Sequence, residues 1–232
     1  MIMGAWGFGR KRGWTNPYVA DGLIAMWDGE WNAGGGVHDA SATVWKDLVG
    51  SDDFTIDSAG IWGDKSISNG ETYNRIAYRN DFTFAMPMTQ EIVMKYKGNQ
   101  SSNAVIFHVS QWADGNDMLR GMVVLFGAYF KVRSDTTGYS LPVSHDAMTL
   151  ACLYDSSGTP VPYINGVAET LLNEGTDTWW ANDATGVNIA NRANNNRGTK
   201  IEIFGIRFYS RALTAEEIAA NYAVDKQRFN LP

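Results

Sequence analysis

Acidic residues offer the first test for chemistry, because retaining hydrolysis of a glycosidic bond needs two carboxylates about 5.5 Å apart. On one strand, such a pair would stand at positions i and i+2 or i+4, since alternate residues share a face. Those positions after Glu202 hold Phe204 and Ile206, and neither corresponding position after Glu91 is acidic. No strand offers the pair, so we predict that the chain is not an enzyme. Acids brought together from separate loops remain an alternative.

The other reactive side chains lack the spacing of a catalytic or zinc site. The histidines at 38, 108 and 145 are far apart, and His108 lies in an apolar segment typical of a buried strand. Cys152 is the single cysteine, which excludes an intrachain disulfide. Its apolar neighbours indicate a small buried side chain rather than a nucleophile.

Calcium is the one metal that the sequence brings into question. Asp114, Asn116 and Asp117 concentrate three oxygen-bearing side chains in a single turn. Carboxylate and carbonyl oxygens are the ligands that calcium prefers. Asp, Asn and Gly also form turns without any metal, so both interpretations of this segment stay open. No other cofactor is predicted.

Aromatic side chains supply the candidate ligand-binding residues. Trp179 and Trp180 are consecutive in a polar stretch, and in an extended segment they point to opposite sides. At most one of the two side chains can therefore enter a single core. The other indole ring would be exposed and could stack on a sugar. Trp112 stands beside the Asp114 turn, and Arg192 and Arg197 add hydrogen-bond donors. The competing interpretation is that the tryptophans cover the core and that the arginines are solvated turn residues.

Short apolar or alternating segments separated by turn residues predict an all-β, antiparallel two-sheet sandwich. Asn165-Gly166 is a typical hairpin turn. We find no repeat or linker that divides residues 21–232 and predict one domain there. The predicted strands are 23–27, 43–48, 54–56, 61–62, 75–78, 90–96, 104–110, 122–133, 148–154, 160–164, 167–171, 186–191 and 200–209.

A single short helix is predicted at the C-terminal end. Thr214 and Glu217 have the spacing of a capping box, in which each side chain covers a backbone amide at the start of the helix. Ile218 and Tyr222 follow one helical turn apart and give the helix an apolar face. We expect it to continue to about Lys226.

Composition and charge narrow the range of partners. The 232 residues carry a net charge of −6, which argues against nucleic acid as a partner because phosphate binding needs concentrated positive charge. The sequence contains no run of 18 apolar residues, so it predicts no membrane-spanning helix. The first twenty residues hold three basic side chains and no acid, leaving a net −9 elsewhere. They lack the order of a secretory signal, and we predict that residues 1–20 form an arm that anchors the domain to a larger assembly.

Residues 201–218 (IEIFGIRFYSRALTAEEI) resemble the closing motif of laminin G-like domains, which are concanavalin A-like jelly rolls common in bacterial and bacteriophage surface proteins. Residues 22–29, 42–48 and 154–166 resemble the same family, and together the resemblance spans about residues 21–226. It implies a jelly roll of two antiparallel sheets with about six or seven strands each. It leaves the ligand open, since this fold serves lectins, glycosidases, adhesion modules and spacers.

From these observations we predict a non-catalytic module that binds a glycan or a host-cell receptor. The missing export signal and the basic arm favour a decoration or fibre-type adhesion protein on a bacteriophage virion surface, made in the cytoplasm and forming a homo-oligomer within the assembly. Virion proteins would then be the partners of residues 1–20, and an extracellular location is the alternative. A purely structural virion subunit is the main competing function, and a glycoside hydrolase of the same fold is a third.

Overall fold

The computed structural model describes residues 15–82, 85, 87–100, 103–110, 120–125, 129–134, 137–142, 146–156, 160–170, 186–191 and 197–232. Within them the chain forms two antiparallel β-sheets and one α-helix near the C-terminus, as predicted for a two-sheet sandwich. No helix of this part of the chain is long and apolar enough to cross a membrane.

Sheet A contains eight strands and carries the helix. The strands are β1 (Leu23–Asp28), β4 (Ile61–Trp62), β5 (Ile67–Ser68), β7 (Met88–Asn99), β12 (Ala147–Tyr154), β13 (Pro160–Ile164), β14 (Val167–Ala168) and β16 (Thr199–Tyr209). Their order in the sheet is β14-β13-β12-β7-β16-β5-β4. Strand β5 pairs with residues 202–203 of β16, and β1 pairs with residues 205–209 along the same edge of β16.

Sheet B also contains eight strands. They are β2 (Val44–Trp45), β3 (Phe54–Ile56), β6 (Ala77–Arg79), β8 (Asn103–Ser110), β9 (Arg120–Leu125), β10 (Tyr129–Ser134), β11 (Thr137–Pro142) and β15 (Gly186–Ile189). Their order in the sheet is β11-β10-β9-β8-β15-β6-β3-β2. Within the described residues each sheet thus has eight strands, more than the six or seven that the resemblance implied.

The main core lies between the two sheets and is rich in aromatic rings. Trp27 of β1 contacts Phe54 of β3 with 4.4 Å between ring centroids, and Phe82 contacts Phe208 at 5.1 Å. Cys152 is fully buried in this core, and its burial raises the pKa of the thiol to about 12. The thiol therefore stays protonated at neutral pH, as expected for a structural cysteine.

Helix α1 (Ala215–Phe229) lies on the outer face of sheet A and begins with the predicted capping box. The Glu217 amide donates to Thr214 Oγ1 at 3.3 Å, and the Thr214 amide donates to Glu217 Oε2 at 2.9 Å. The helix ends at Phe229, three residues later than predicted, where Asn230 adopts a left-handed conformation that closes the last turn.

One strand prediction is wrong, and two strands of the structure are missing from the predictions. The predicted strand 122–133 is two strands, β9 and β10, which pair with each other as a hairpin. The missing strands are β5 and β11; residues 137–142 include Gly138 and Pro142, residue types that are depleted in strands. The Asn165-Gly166 turn between β13 and β14 is confirmed, with φ values of 52° and 79° at its two residues.

Candidate ligand-binding end of sheet B

Several strands of sheet B begin or end at the same end of the sheet. Ser110, the last residue of β8, pairs with Gly186, the first residue of β15. In the neighbouring strand, Arg120 at the start of β9 pairs with Val109. The chain therefore leaves β8 and enters β9 and β15 at one common position, which we call the 110/186 end.

Two segments with sequence-predicted site residues are joined to this end. Residues 111–119 connect Ser110 to Arg120, and residues 171–185 lead directly into Gly186. The predicted residues Trp112, Asp114, Asn116, Asp117, Trp179 and Trp180 all lie outside the described residues, so their roles stay predictions. Chain connectivity nevertheless attaches both segments to the same end of sheet B.

Arg197 is held at the opposite end of the same strands. Its backbone amide donates to Asn191 Oδ1 at 2.9 Å, and its carbonyl accepts from the Val105 amide at 2.7 Å. Val105 stands five residues before Ser110 on β8, which corresponds to roughly 17 Å of extended strand. Arg192 lies outside the described residues. The structure therefore does not bring Arg197 to the 110/186 end, because β15 crosses the sheet between residues 185 and 190.

Polar side chains that the sequence did not single out lie next to β15. The Arg75 guanidinium donates to Asn188 Oδ1 and to Asp57 Oδ2, both at 2.9 Å, and lies 4.1 Å from the centroid of the Tyr78 ring. Tyr78 and Asn188 are register partners, so they share one face of the sheet. A guanidinium, an amide and a phenol can bind a polar ligand by hydrogen bonds. Arg75 and Tyr78 are three residues apart, so strand alternation does not indicate that they lie on the same face.

Beside this cluster, β6 ends in a second charged group. Arg79, the register partner of Val187, contacts Asp52 Oδ1 at 2.9 Å and Asp81 Oδ1 at 3.0 Å. Burial raises the pKa of Asp52, an effect that Arg79 opposes. Within the described part of the chain, no group of three or more His, Cys, Asp or Glu side chains could hold a metal ion.

The most concentrated set of charges is buried under helix α1. Arg207 of β16 forms a bidentate pair with Asp225 of the helix at 2.8 and 2.6 Å and donates through Nε to Glu91 Oε2 at 2.6 Å. Asn221 donates to the same Glu91 oxygen at 3.0 Å, and Thr149 Oγ1 donates to Asp225 Oδ2 at 2.9 Å. We call these five side chains the buried ion cluster.

The electrostatics of this cluster follow from its burial. Desolvation raises the pKa of Glu91, and Asp225 raises it further, while Arg207 opposes the shift. Burial alone would lower the pKa of Arg207, but Asp225 and Glu91 outweigh that effect and raise it. Arg207 and Glu91 are each 1% exposed, so no ligand reaches them in this state. The cluster holds the helix on the sheet and is not a binding site.

Comparisons with known proteins show a likeness of fold. No family model and no curated protein sequence matches the chain. Among 217 matching solved chains, Trypanosoma rangeli sialidase in complex with 2,3-difluoro-KDN has a TM-score of 0.67 and 12% identity over 88% of this chain and 33% of the sialidase. The HCR/D W1238A mutant has a TM-score of 0.60 and 12% identity over 90% and 52%. The botulinum neurotoxin type G receptor binding domain has a TM-score of 0.56 and 13% identity over 88% and 52%.

The shared feature is the β-sandwich. The chain spans about a third of the sialidase and about half of the other two structures. At identities of 11–13%, these matches establish the architecture and leave the ligand open.

These matches contradict our prediction that the chain is not an enzyme, because several of the matched structures are sialidases, which are enzymes. That prediction rested on the missing acid pair within any one strand. A site assembled from separate loops escapes such a test, since strand alternation constrains only neighbours on one strand.

Proposed function

We propose that this chain is a surface-binding module of the laminin G-like type that recognises a glycan or another cell-surface receptor through the segments at the 110/186 end. The observation that carries the proposal is the pairing of Ser110 with Gly186. It joins the segment that contains Trp112 to the same end of sheet B as the segment that contains Trp179 and Trp180. Aromatic rings from two neighbouring segments suit a sugar, whose apolar face stacks on an indole while its hydroxyls bind polar groups.

The matched structures support this class of ligand. One is a sialidase in complex with sialic acid, and another is the receptor binding domain of a botulinum neurotoxin. The first of these proteins is bound to a carbohydrate and the second binds a receptor, and both contain this sandwich. That the present chain also binds a glycan or a receptor is our proposal.

We further propose that residues 1–20 attach the module to a larger assembly, namely a bacteriophage virion in which several copies stand at the surface. The support comes from the sequence: three basic and no acidic residues among the first twenty, and a resemblance to domains of bacterial and phage surface proteins. A basic aromatic segment can bury large area against a partner.

The test is a glycan array that includes sialylated glycans, probed with the full chain and with Trp179→Ala, Trp180→Ala and Trp112→Ala. We expect at least one of the first two variants to lose binding while its thermal midpoint stays within a few degrees of the unchanged protein. Arg197→Ala, which changes the opposite end of β8 and β15, provides the comparison.

Each outcome decides the proposal. Loss of binding with Arg197→Ala and retention with all three tryptophan variants would place the site at the opposite end of the strands. A large fall in thermal midpoint for both Trp179→Ala and Trp180→Ala would assign these rings to the core. An array without any bound glycan, combined with no binding to intact cells, would refute the binding function and favour the purely structural subunit.

A further inference from the structure

The underside of helix α1 is divided into three zones. At its N-terminal half, Ile218 packs in an apolar cluster with Tyr209 and Leu213, and at its C-terminal end Phe229 packs against Val93. Between these two apolar zones lies the buried ion cluster. Apolar packing holds the two ends of the helix together with ion pairs, from Arg211 to Glu217 at the start and from Arg228 to Asp28 at the end, both at 2.6 Å. Charge and hydrogen bonds alone hold its middle.

The chain segment 15–20 closes this middle zone from outside, and we call it the strap. Its residue Tyr18 is 6% exposed, and the centroid of its ring lies 4.0 Å from the Arg207 guanidinium carbon. The Tyr18 hydroxyl donates to Asp225 Oδ1 at 2.8 Å and accepts from Arg228 Nη1 at 2.8 Å. The Tyr18 side chain thus covers the guanidinium of Arg207 on the sheet and contacts Asp225 and Arg228 on the helix.

A second strap residue binds the helix through its backbone. The Val19 backbone amide donates to Asn221 Oδ1 at 2.9 Å. The side-chain Nδ2 of Asn221 donates to Glu91 and to the Tyr209 hydroxyl. Both carbonyl and amino groups of Asn221 are therefore used, one toward the strap and the other toward the sheet. Withdrawal of the strap would leave the Asn221 carbonyl unsatisfied in a buried position, which is costly.

The helix and the strap pack outside the main core. Among the described residues, the cluster between the two sheets contains no member of residues 15–20 or of α1. Loss of the helix would expose only the outer face of sheet A. Local opening of an element at low cost is expected where its contacts are separate from the central core.

We propose that residues 15–20 form a strap that holds helix α1 on sheet A, and that withdrawing Tyr18 releases the helix while the two-sheet core stays folded. The strap continues directly into residues 1–14, so a partner that binds there acts on the same chain that covers Arg207. Binding at the N-terminal segment is thereby coupled to the position of the C-terminal helix.

Hydrogen exchange measured by mass spectrometry tests this coupling. In Tyr18→Ala we expect amide protection in residues 215–229 to fall by at least about tenfold, because a buried hydrogen bond to charged groups and a ring over Arg207 are lost together. Protection of β7 should be unchanged. Tyr18→Phe keeps the ring and removes only the hydroxyl, so it should show a smaller loss confined to the same helix.

The control is Tyr78→Ala, because Tyr78 also lies over an arginine, at 4.1 Å from Arg75, but on the outer face of sheet B and away from the helix. It should leave the exchange of residues 215–229 unchanged. Equal loss of protection in the helix and in β7 after Tyr18→Ala or Tyr18→Phe would overturn the proposal, because the strap would then be part of the single cooperative core. Unchanged helix exchange in both variants would overturn it as well.

Discussion

The two oxygens of the buried Glu91 carboxyl group have unequal surroundings. Its Oε2 accepts from Arg207 and Asn221, whereas its Oε1 has no hydrogen-bond partner among the described residues. Arg207 gives two hydrogen bonds to Asp225 and one to Glu91, so a single positive charge faces two carboxylates. A buried carboxylate that has lost its water and retains a free oxygen favours the protonated form. We therefore expect the pKa of Glu91 to lie above the ordinary value of a glutamate.

The sign of the pH dependence follows from this shift. Because the folded-state pKa of Glu91 is raised, the folded protein binds the proton more tightly than the unfolded chain does. The resulting stability is fully present below the unfolded pKa of about 4.3 and is lost as the pH rises through the folded pKa. The loss reaches about 1.4 kcal/mol for each pH unit in that window.

The perturbation is Glu91→Gln, because an amide imitates the protonated acid in shape and charge. We expect the unfolding free energy of the variant to lie within about 1 kcal/mol of the original at pH 5, since one buried hydrogen bond changes strength. As the pH rises to 8, the original protein should lose stability relative to the variant. Urea unfolding at several pH values measures both proteins, and the difference between them largely cancels the titrations that they share.

An ionised Glu91 would give the opposite result. Removing one partner of a buried ion pair costs about 3–5 kcal/mol, so Glu91→Gln would then be strongly destabilised at pH 7 and more so at pH 8. That outcome would refute our reasoning on desolvation. Asp225→Asn is the matched comparison: Asp225 accepts four hydrogen bonds, two of them from Arg207, and we expect its loss to cost about 3–5 kcal/mol.

Three further predictions concern the folded domain. Thr214→Ala should lower the unfolding free energy by about 1 kcal/mol, because the helix loses its N-terminal cap. Ile218→Ala should lower it by about 2–5 kcal/mol, because Ile218 is fully buried. Urea unfolding measures both variants, and an Ile218→Ala variant as stable as the original would contradict the packing of the helix. Gly198→Ala should cost about 3 kcal/mol or more, because a Cβ there would lie 1.9 Å from the Tyr73 carbonyl oxygen; a thermal midpoint equal to that of the unchanged protein would contradict it. Deleting residues 2–14 should leave the thermal midpoint unchanged because Tyr18 remains in place, while incorporation into purified particles is lost; calorimetry and sedimentation with the particles measure the two effects, and retained incorporation would exclude the anchor.

The features that the sequence predicted correctly are those with a local physical cause. Thr214 and Glu217 satisfy amides three residues apart, so the start of the helix needs no knowledge of the rest of the chain. Asn165-Gly166 likewise adopts the left-handed conformations that a two-residue hairpin requires. By contrast, the sequence predicts one strand over residues 122–133, because apolar character continues between the end of β9 and the start of β10.

The buried ion cluster depends on tertiary structure and shows the limit of strand alternation. Glu91 and Arg207 face away from the main core, and a polar residue on the outer face of a strand ordinarily indicates solvent. The helix reverses that interpretation because it covers this face with Asn221 and Asp225, four residues apart on the same side as Ile218. A polar pair on the inner face of an otherwise apolar helical stripe, together with opposite charges on two strands, was the available signal.

The same limit applies to the candidate binding site. Trp179 and Arg197 are eighteen positions apart, and their polar surroundings suggested one continuous ligand-binding region. Strand β15 separates the two positions, so Gly186 lies beside Ser110 while Arg197 is fixed beside Val105. Trp112 is far from Trp179 in sequence, yet its segment starts where the segment of Trp179 ends. Two segments of this fold lie close together when the strands that they join begin or end at the same end of a sheet. Joint substitution of Trp112 and Trp179 therefore tests the proposed site most directly.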